Sequence, residues 1–186
     1  METSPHYLES LNPLLEPKRG SWMLLVGPAS LNAGLLQGIA RFAGSGRVTV
    51  LDGGNRFNAY TVARAARGRS DVLARIHVAR AFTCFQALAL LEGTPADSGP
   101  FVLLDLLRTF YDESVPPAER KRLLRLCLAQ LRRLEASSGG LVSVHPPARP
   151  SPAALELLHL LEAGAGAIYL QPPPVPAALP QQMRFF

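Results

Sequence analysis

Short apolar runs alternate with longer helical segments through most of the chain, and this alternation is the feature that most constrains the fold. Six runs rich in branched residues are bounded by turn residues, at 22–27 (WMLLVG), 47–52 (RVTVLD), 74–79 (ARIHVA), 101–105 (FVLLD), 141–145 (LVSVH) and 167–171 (AIYLQ). Continuous apolar runs of this length are typical of strands buried on both faces of a parallel sheet. Segments with helical periodicity lie between them, at about 31–43, 56–68, 83–92, 117–136 and 152–163.

Strands that alternate with helices predict βαβ units, in which crossover helices join parallel strands. We therefore predict an α/β fold with a mainly parallel central sheet covered by helices on both faces. Ligands of such sheets bind at the carboxyl ends of the strands. The loops predicted to meet at this edge contain GPASLNA (27–33), DGGNRF (52–57), DLLRTFYDES (105–114) and HPPARPS (145–151).

The length of 186 residues predicts one domain with a single good-sized core. We place the α/β core at 21–171, an N-terminal arm at 1–20 and a Pro-rich tail at 172–186. The tail contains five of the seventeen prolines, so we expect an extended or polyproline II conformation for it.

Composition favours an intracellular protein and leaves its partner open. Cys84 and Cys127 lie inside apolar stretches, where buried free thiols are expected rather than a disulfide. The first twenty residues lack the pattern of a secretion signal, and no apolar run has the roughly 18 residues that a membrane span requires. The net charge is +5, and most of the positive residues are arginine, whose planar fork binds phosphate bidentately. Nucleic-acid binding is one interpretation of this charge, and ordinary solubility is the other.

The loop after the first apolar run lies between a strand and a helix, where phosphate-binding loops occur. A working loop reads G-x-x-x-x-G-K-[ST], but counted from Gly27 this chain ends the pattern with Asn32, Ala33 and Gly34. The lysine and the metal-binding hydroxyl are therefore absent. Two interpretations stay open. In one, Ser30 or Asn32 caps the helix; in the other, Gly27, Ser30 and Asn32 form a vestigial nucleotide site that binds an anion weakly at the helix N-terminus.

Asp105 follows four apolar residues at the end of a predicted strand. An acid in this position holds a metal ion through water in P-loop NTPases, which would add Asp105 to the vestigial site. The alternative is that Asp105 hydrogen-bonds a neighbouring loop. The four histidines show no metal-ligand spacing, and no catalytic constellation stands out. We therefore expect no cofactor, no metal and no enzymatic activity.

The segment 117–136 predicts an amphipathic helix with leucines and Cys127 on its apolar face. The opposite face carries Arg122, Arg125, Arg132 and Arg133, with Lys121 nearby. This basic face is interpreted either as a solvated surface or as a stripe that binds phosphates together with Arg108 and Arg120.

Four segments follow one another in an order that points to one protein family. The stretch VLARIHVARAFTCFQALALLE (72–92) has a strand, then Arg80-Ala81-Phe82-Thr83, then Gln86 opening a helix. With it come TVLDGGNRFNAYTVARAAR (49–67), FVLLDLLRTFYDES (101–114) and GLVSVHPP (140–147). The series resembles the RadA-type recombinases of the RecA fold over roughly 22–171. The resemblance implies a three-layer RecA-like domain in which 101–114 is similar to the Walker B strand and the first DNA loop.

The departures from this family concern its ATPase residues. The resemblance puts Gly53-Gly54 near the family's catalytic glutamate, and it puts Ala33 and Gly34 at the lysine and hydroxyl of the phosphate loop. Val144-His145-Pro146 stands where active members have Asn-Gln, so only Asp105 matches the ATPase set. The phosphate-binding lysine stabilises the charge on the phosphates, and the catalytic glutamate activates the attacking water. Without both residues, the chain loses both contributions. We therefore expect a degenerate member that does not hydrolyse ATP.

The leading hypothesis is a noncatalytic accessory protein of recombination or repair that binds single- or double-stranded DNA, another RecA-fold protein, or both. The expected DNA contacts flank the two loops that face DNA in the family, and they are Arg108, Arg120, Lys121, Arg122 and Arg149. One alternative is an interaction scaffold that docks a partner at a sheet edge or at the tail with Phe185 and Phe186. The other is a weak, atypical ATPase that uses Asp105.

Overall fold

A computed structural model describes residues 18–147 and 149–171 of the chain. The elements in this part are β1 Trp22–Val26, α1 Leu31–Ser45, β2 Val48–Asp52, α2 Ala59–Ala65, α3 Ser70–Leu73, β3 Ile76–Arg80, α4 Cys84–Gly93, β4 Phe101–Leu104, a 3₁₀ helix Leu106–Phe110, α5 Pro117–Glu135, β5 Gly140–Val144, α6 Pro152–Glu162 and β6 Ala167–Leu170. The tail at 172–186 and residues 1–17 of the predicted arm lie outside the described residues.

The six strands form one sheet in the order β3-β2-β4-β5-β1-β6, and every neighbouring pair is parallel. The chain moves from β1 to the β3 edge and then returns to the β6 edge. Since crossovers are right-handed, a reversal of direction puts the later helices on the opposite face of the sheet. The predicted α/β fold with a parallel sheet is confirmed, and it is consistent with a three-layer RecA-like domain.

Alternate residues of the central strands belong to two separate apolar layers, as the period of two in a strand requires. Leu24 and Leu103 pack with the buried side chains of α4, α5 and α6. Leu25 and Leu104 pack with those of α1, α2 and α3. Helices therefore cover both faces of β1, β2, β4 and β5.

The outer strands differ from this pattern. We expected all six strands to be buried on both faces, and for β3 and β6 this is wrong because they form the two edges of the sheet. Val78 in β3 is 42% exposed and Leu170 in β6 is 64% exposed. An edge strand has helices over less of its surface than a central strand has, so its apolar side chains reach solvent.

The predicted helix at 56–68 is shorter in the structure, because α2 ends at Ala65 and a separate short helix, α3, follows at Ser70–Leu73. Asn58 begins α2, and its side chain accepts a hydrogen bond from the Thr61 amide. Arg67 and Gly68 then adopt positive φ angles of 51° and 76°, which ends the helical path before α3 begins at Ser70. Among the described residues, no helix combines the length and the apolar character needed to cross a membrane.

Candidate functional site

The carboxyl ends of five strands meet around Asp105, the residue that follows β4. Asp105 is fully buried and has a left-handed backbone with φ of 53°. Its amide donates to Ser143 Oγ at 2.9 Å, and that hydroxyl donates to the Leu103 carbonyl at 3.3 Å. Since Ser143 lies in β5, these bonds fix the end of β4 against its neighbour and direct the Asp105 side chain toward the crevice.

Both carboxylate oxygens of Asp105 have partners from other loops. Arg56 Nε donates to Oδ2 at 3.0 Å, and the His145 amide donates to Oδ1 at 3.1 Å. His145 Nδ1 lies 3.3 Å from the same Oδ1, and the imidazole is largely buried. Burial alone would raise the pKa of Asp105, but the contacts with His145 and Arg56 outweigh it and hold that pKa below its usual range. The hydrogen-bonding alternative for Asp105 is therefore observed.

A second buried acid, Asp52, closes the loop after β2. Its Oδ1 accepts the Arg56 amide at 2.8 Å, and its Oδ2 accepts the Phe57 amide at 3.0 Å. Arg80 Nε at the end of β3 donates to the same Oδ2 at 3.2 Å. Each of the two buried acids therefore pairs with an arginine, which is the arrangement that makes a buried carboxylate tolerable.

The two glycines after Asp52 let this loop approach Asp105 closely. A Cβ added to Gly54 would lie 2.5 Å from Asp105 Cβ and 2.6 Å from its Oδ2. A Cβ on Gly53 would lie 3.1 Å from the Asp105 carbonyl oxygen. The absence of side chains at these positions thus permits the contact between Arg56 and Asp105.

The loop after β1 is short, and its amides are already bonded. The amides of Leu31, Asn32 and Ala33 donate to the carbonyls three residues before them, at 3.0, 3.1 and 3.4 Å. Helix α1 begins at Leu31, two residues before the position that would hold the phosphate-binding lysine. Three amides that a phosphate would need at the start of the helix are therefore engaged within the chain.

Neither predicted cap is formed at this helix. Ser30 has helical backbone angles, and its side chain makes no capping hydrogen bond. The Asn32 side chain turns to the next loop instead, where Nδ2 donates to the Arg56 carbonyl at 2.9 Å. The capping prediction is wrong because the first turn bonds to its own backbone and Asn32 lies one residue inside the helix.

The predicted vestigial site is only partly brought together. Asn32 and Asp105 are joined through Arg56. Ser30 is exposed, and the Gly27 amide donates to the Val144 carbonyl in the adjacent strand. Anion binding by these four residues stays a prediction.

The donors at this edge do not fit a magnesium–nucleotide complex. Arg56 Nε lies 3.0 Å from Asp105 Oδ2, so this carboxylate already has a cationic partner, and Ala33 offers no ammonium group. The described residues contain no cluster of three His, Cys, Asp or Glu side chains suited to a metal ion. The arrangement is chemically suited to holding five strand ends together.

The predicted DNA-contacting residues fall into three groups. Arg120 is only 6% exposed, and its Nη1 donates to the Phe110 carbonyl at 3.2 Å, so its prediction as a surface phosphate contact is wrong. Lys121 pairs with Glu156 at 2.6 Å, and Arg122 forms two bonds to Glu119 at 2.8 and 2.6 Å. Arg108 and Arg149 are exposed.

Sequence reasoning did not identify Arg56, Arg80 or His145 as parts of this site. It placed the loops that contain Arg56 and His145 at the correct edge of the sheet. Arg56 and Asp105 are 49 residues apart in the sequence, so no local sequence pattern predicts their pairing. An arginine four residues after Asp52, the first residue of a strand-terminal Asp-Gly-Gly, was the available signal.

Comparison with known proteins assigns the chain to no family. No protein-family model matches it, and a search of curated proteins finds no significant match. The resemblance to RecA-fold recombinases therefore stays a prediction.

Proposed function

We propose that this chain is a noncatalytic RecA-like accessory protein of recombination or repair, which acts by docking a protein partner. The observation that carries the proposal is the internal ion pair of Arg56 with Asp105. An ATPase needs a carboxylate free for the hydrated metal and a cation directed at the phosphates. Here the carboxylate is engaged by an arginine of the same chain, and this supports a role in binding over one in hydrolysis.

The outer edge of β3 supports docking of an extended segment from the partner. Among the described strands, β3 pairs only with β2, so its other edge is unpaired. Exposed edges accept an additional strand through main-chain hydrogen bonds, and pockets beside them select side chains. A groove of about 310 Å³ lies beside this strand, between β3 and the end of α4, and is lined by residues such as Val78, Ala79 and Leu90.

Two exposed aromatic rings lie next to the same edge. Phe82 is 72% exposed and Phe85 is 51% exposed. The turn that carries them is well ordered by hydrogen bonds, because Thr83 Oγ1 accepts the Gln86 amide and Gln86 Oε1 accepts the Phe82 amide. Exposed apolar surface held in a fixed conformation is typical of a binding site for another protein. We take the partner to be another RecA-fold protein.

The first test concerns the nucleotide. Thermal unfolding is measured with and without Mg-ATP, with Mg-ADP and magnesium alone as controls. A ligand that binds only the native state must raise the melting temperature. We expect no shift, and a reproducible rise with Mg-ATP would contradict the noncatalytic proposal and favour the weak ATPase.

The second test concerns the edge. Isothermal titration calorimetry measures binding to the purified RecA-fold recombinase of the same cells. We expect Phe82→Ser with Phe85→Ser to weaken binding about tenfold or more, since buried aromatic anchors dominate interfaces. Leu126→Ser with Leu155→Ser is the matched control, because these leucines are exposed on α5 and α6. Equal affinity of the edge variant and the control would exclude β3 as the docking edge.

A further inference from the structure

Arginines line an open groove between α1 and α2, on the helix layer opposite α5. The groove has a volume of about 890 Å³, and its basic lining consists of Arg41, Arg64, Arg67 and Arg69. Arg64, Arg67 and Arg69 are exposed, and none of them has a carboxylate partner among the described residues. The nearby Asp71 pairs with Arg75 instead. The groove therefore presents uncompensated positive charge.

The local backbone explains why these arginines face one groove. Residues 41–80 contain eight arginines and only two acids, Asp52 and Asp71. Arg64 lies in the last turn of α2, and the chain then reverses through the positive φ angles of Arg67 and Gly68. A left-handed conformation at a residue other than glycine is unfavourable, and it persists only where the surrounding structure holds it. The reversal brings Arg67 and Arg69 back toward the side of α2 that carries Arg64.

An exposed aromatic ring flanks the arginines. Tyr60 is 72% exposed, and the guanidinium carbon of Arg64 lies 5.9 Å from the centre of its ring. Arg64 thus contacts the ring and lines the groove at the same time. Basic grooves with an exposed ring are the usual surface for single-stranded nucleic acid, because arginines bind the phosphates and the ring stacks on a base.

The groove continues along α1 toward the carboxyl edge of the sheet. A second depression of about 490 Å³ shares Thr61 with the first and is lined by small and polar residues that include Ala29, Asn32 and Asn58. From Leu31 to Arg41, helix α1 rises about 15 Å at 1.5 Å per residue.

We propose that the groove between α1 and α2 binds the backbone of single-stranded nucleic acid, with Tyr60 stacking on one base. The groove is open and elongated, which suits a polymer better than a single nucleotide. Arginine forks fit phosphate oxygens, and phosphate contacts bind the chain without reading its sequence. This surface lies on the opposite helix layer from Arg122 and Lys121, so it is distinct from the DNA surface predicted from sequence. The proposal does not depend on docking at β3.

The test is fluorescence anisotropy with a labelled oligothymidine of about 20 nucleotides, titrated between about 50 and about 200 mM salt. The groove variant combines Arg64→Gln, Arg67→Gln and Arg69→Gln. The matched control combines Arg108→Gln, Lys121→Gln and Arg149→Gln. We expect the groove variant to bind about tenfold or more weakly, and its log–log salt slope to fall by about 2, since each phosphate contact on a single strand contributes about 0.7. The control should bind like the unmodified chain.

A second pair of variants tests the stacking contact. Tyr60→Leu should weaken binding about tenfold and leave the salt slope unchanged, whereas Tyr60→Phe should bind normally. All of these side chains except Lys121 are exposed, so the melting temperatures should stay the same and folding is controlled in the same samples.

Four outcomes overturn the proposal. They are absence of binding at the lowest salt, unchanged affinity of the groove variant, loss of binding in the control variant, and equal affinity for a poly-glutamate of the same charge. The last result would make the groove a general polyanion site. Equal affinity of Tyr60→Leu would remove the stacking contact, and equal binding of a duplex of the same length would remove the preference for single strands.

Discussion

Arg56 contacts three different loops, and this single residue explains most of the geometry at the carboxyl edge. Its amide bonds to Asp52, its guanidinium bonds to Asp105, and its carbonyl accepts the side chain of Asn32. The loops after β1, β2 and β4 are therefore held by one side chain and its own peptide groups. A buried carboxylate without such a partner is costly, so the role of Arg56 is measurable as stability.

We predict that Arg56→Met lowers the free energy of unfolding by about 2–4 kcal/mol at neutral pH, because Asp105 loses its cation. The pKa of Asp105 is lowered in the folded chain, so its contribution is present above the unfolded pKa of about 4 and is lost as the pH falls below it. The difference between the two proteins should therefore shrink in acid. Urea titrations at neutral and acidic pH measure it. Arg125→Met, on the exposed face of α5, is the control. If Arg56→Met left the free energy of unfolding unchanged, the structural role of Arg56 would be refuted.

At the scale of helices and strands, much of the chain could be predicted from its sequence. The six strands lie where the apolar runs predicted them, because strands of a covered parallel sheet must be apolar throughout. The 3₁₀ helix at Leu106–Phe110 was missed, since it has too few residues for a period to show. The early end of the helix predicted at 56–68 was also missed, because it depends on a positive φ at Arg67, which has no sequence signature.

Two arginines of α5 are structural: Arg120, and Arg133, whose Nη2 donates to the Leu91 and Thr94 carbonyls at 2.8 and 2.7 Å. Arg120 is buried beneath the 3₁₀ helix and bonds to the Phe110 carbonyl, whereas Arg122 is exposed and bonds to Glu119 one turn away. A helical wheel assigns charge to a face, but it does not show a carbonyl from another element that needs a donor. Arg120 was grouped with the surface residues because it lies at the loop end of the helix, and its bond to the Phe110 carbonyl joins two different elements.

We predict that Arg120→Gln destabilises the fold by about 1–3 kcal/mol, because the Phe110 carbonyl loses its donor in a buried place. Arg122→Gln should leave stability unchanged within error, since exposed ion pairs contribute little. Chemical denaturation of the two variants side by side makes the comparison. Equal loss in both, or in neither, would show that Arg120 does not anchor this loop.

At the scale of the whole molecule, the sequence predicted which edge of the sheet contains the site. It did not predict the ion pairs that join the loops at that edge. The edge follows from the topology of any parallel α/β sheet. The two acid–arginine pairs join residues 28 and 49 positions apart, and such pairings depend on the strand order. Surface grooves are even harder to predict from local sequence patterns than these ion pairs. The high density of arginine between residues 41 and 80 could nevertheless be seen in the sequence.

The two thiols report on opening of the whole core. Cys84 and Cys127 are free and buried in the layer formed by α4, α5 and α6, as the sequence predicted. Burial raises the pKa of Cys127 to about 12 and also raises that of Cys84. Since only the thiolate reacts, both groups should be inert until the core opens.

We predict that labelling by a disulfide reagent in native buffer is slower than in urea by a factor on the order of 100 or more. A rise from neutral to mildly alkaline pH should accelerate labelling of the unfolded chain, whose thiol pKa is about 8.5. Because the folded pKa values are raised, the two thiols make the native state less stable as the pH rises above the unfolded thiol pKa of about 8.5. Stopped-flow absorbance gives both rates. Rapid native labelling would mean that this layer opens locally.

The position of β1 in the sheet affects how the protein is made. Its two neighbours are β5 and β6, which leave the ribosome after all other described strands. Synthesis adds about 5–20 residues per second, so β1 waits on the order of ten seconds between its own appearance and that of β5. During that interval the nascent chain holds an apolar strand with no hydrogen-bonding neighbour on either side. Folding of this domain is therefore completed late in translation, and the yield of native protein should depend on how well ribosome-associated chaperones shield that one strand.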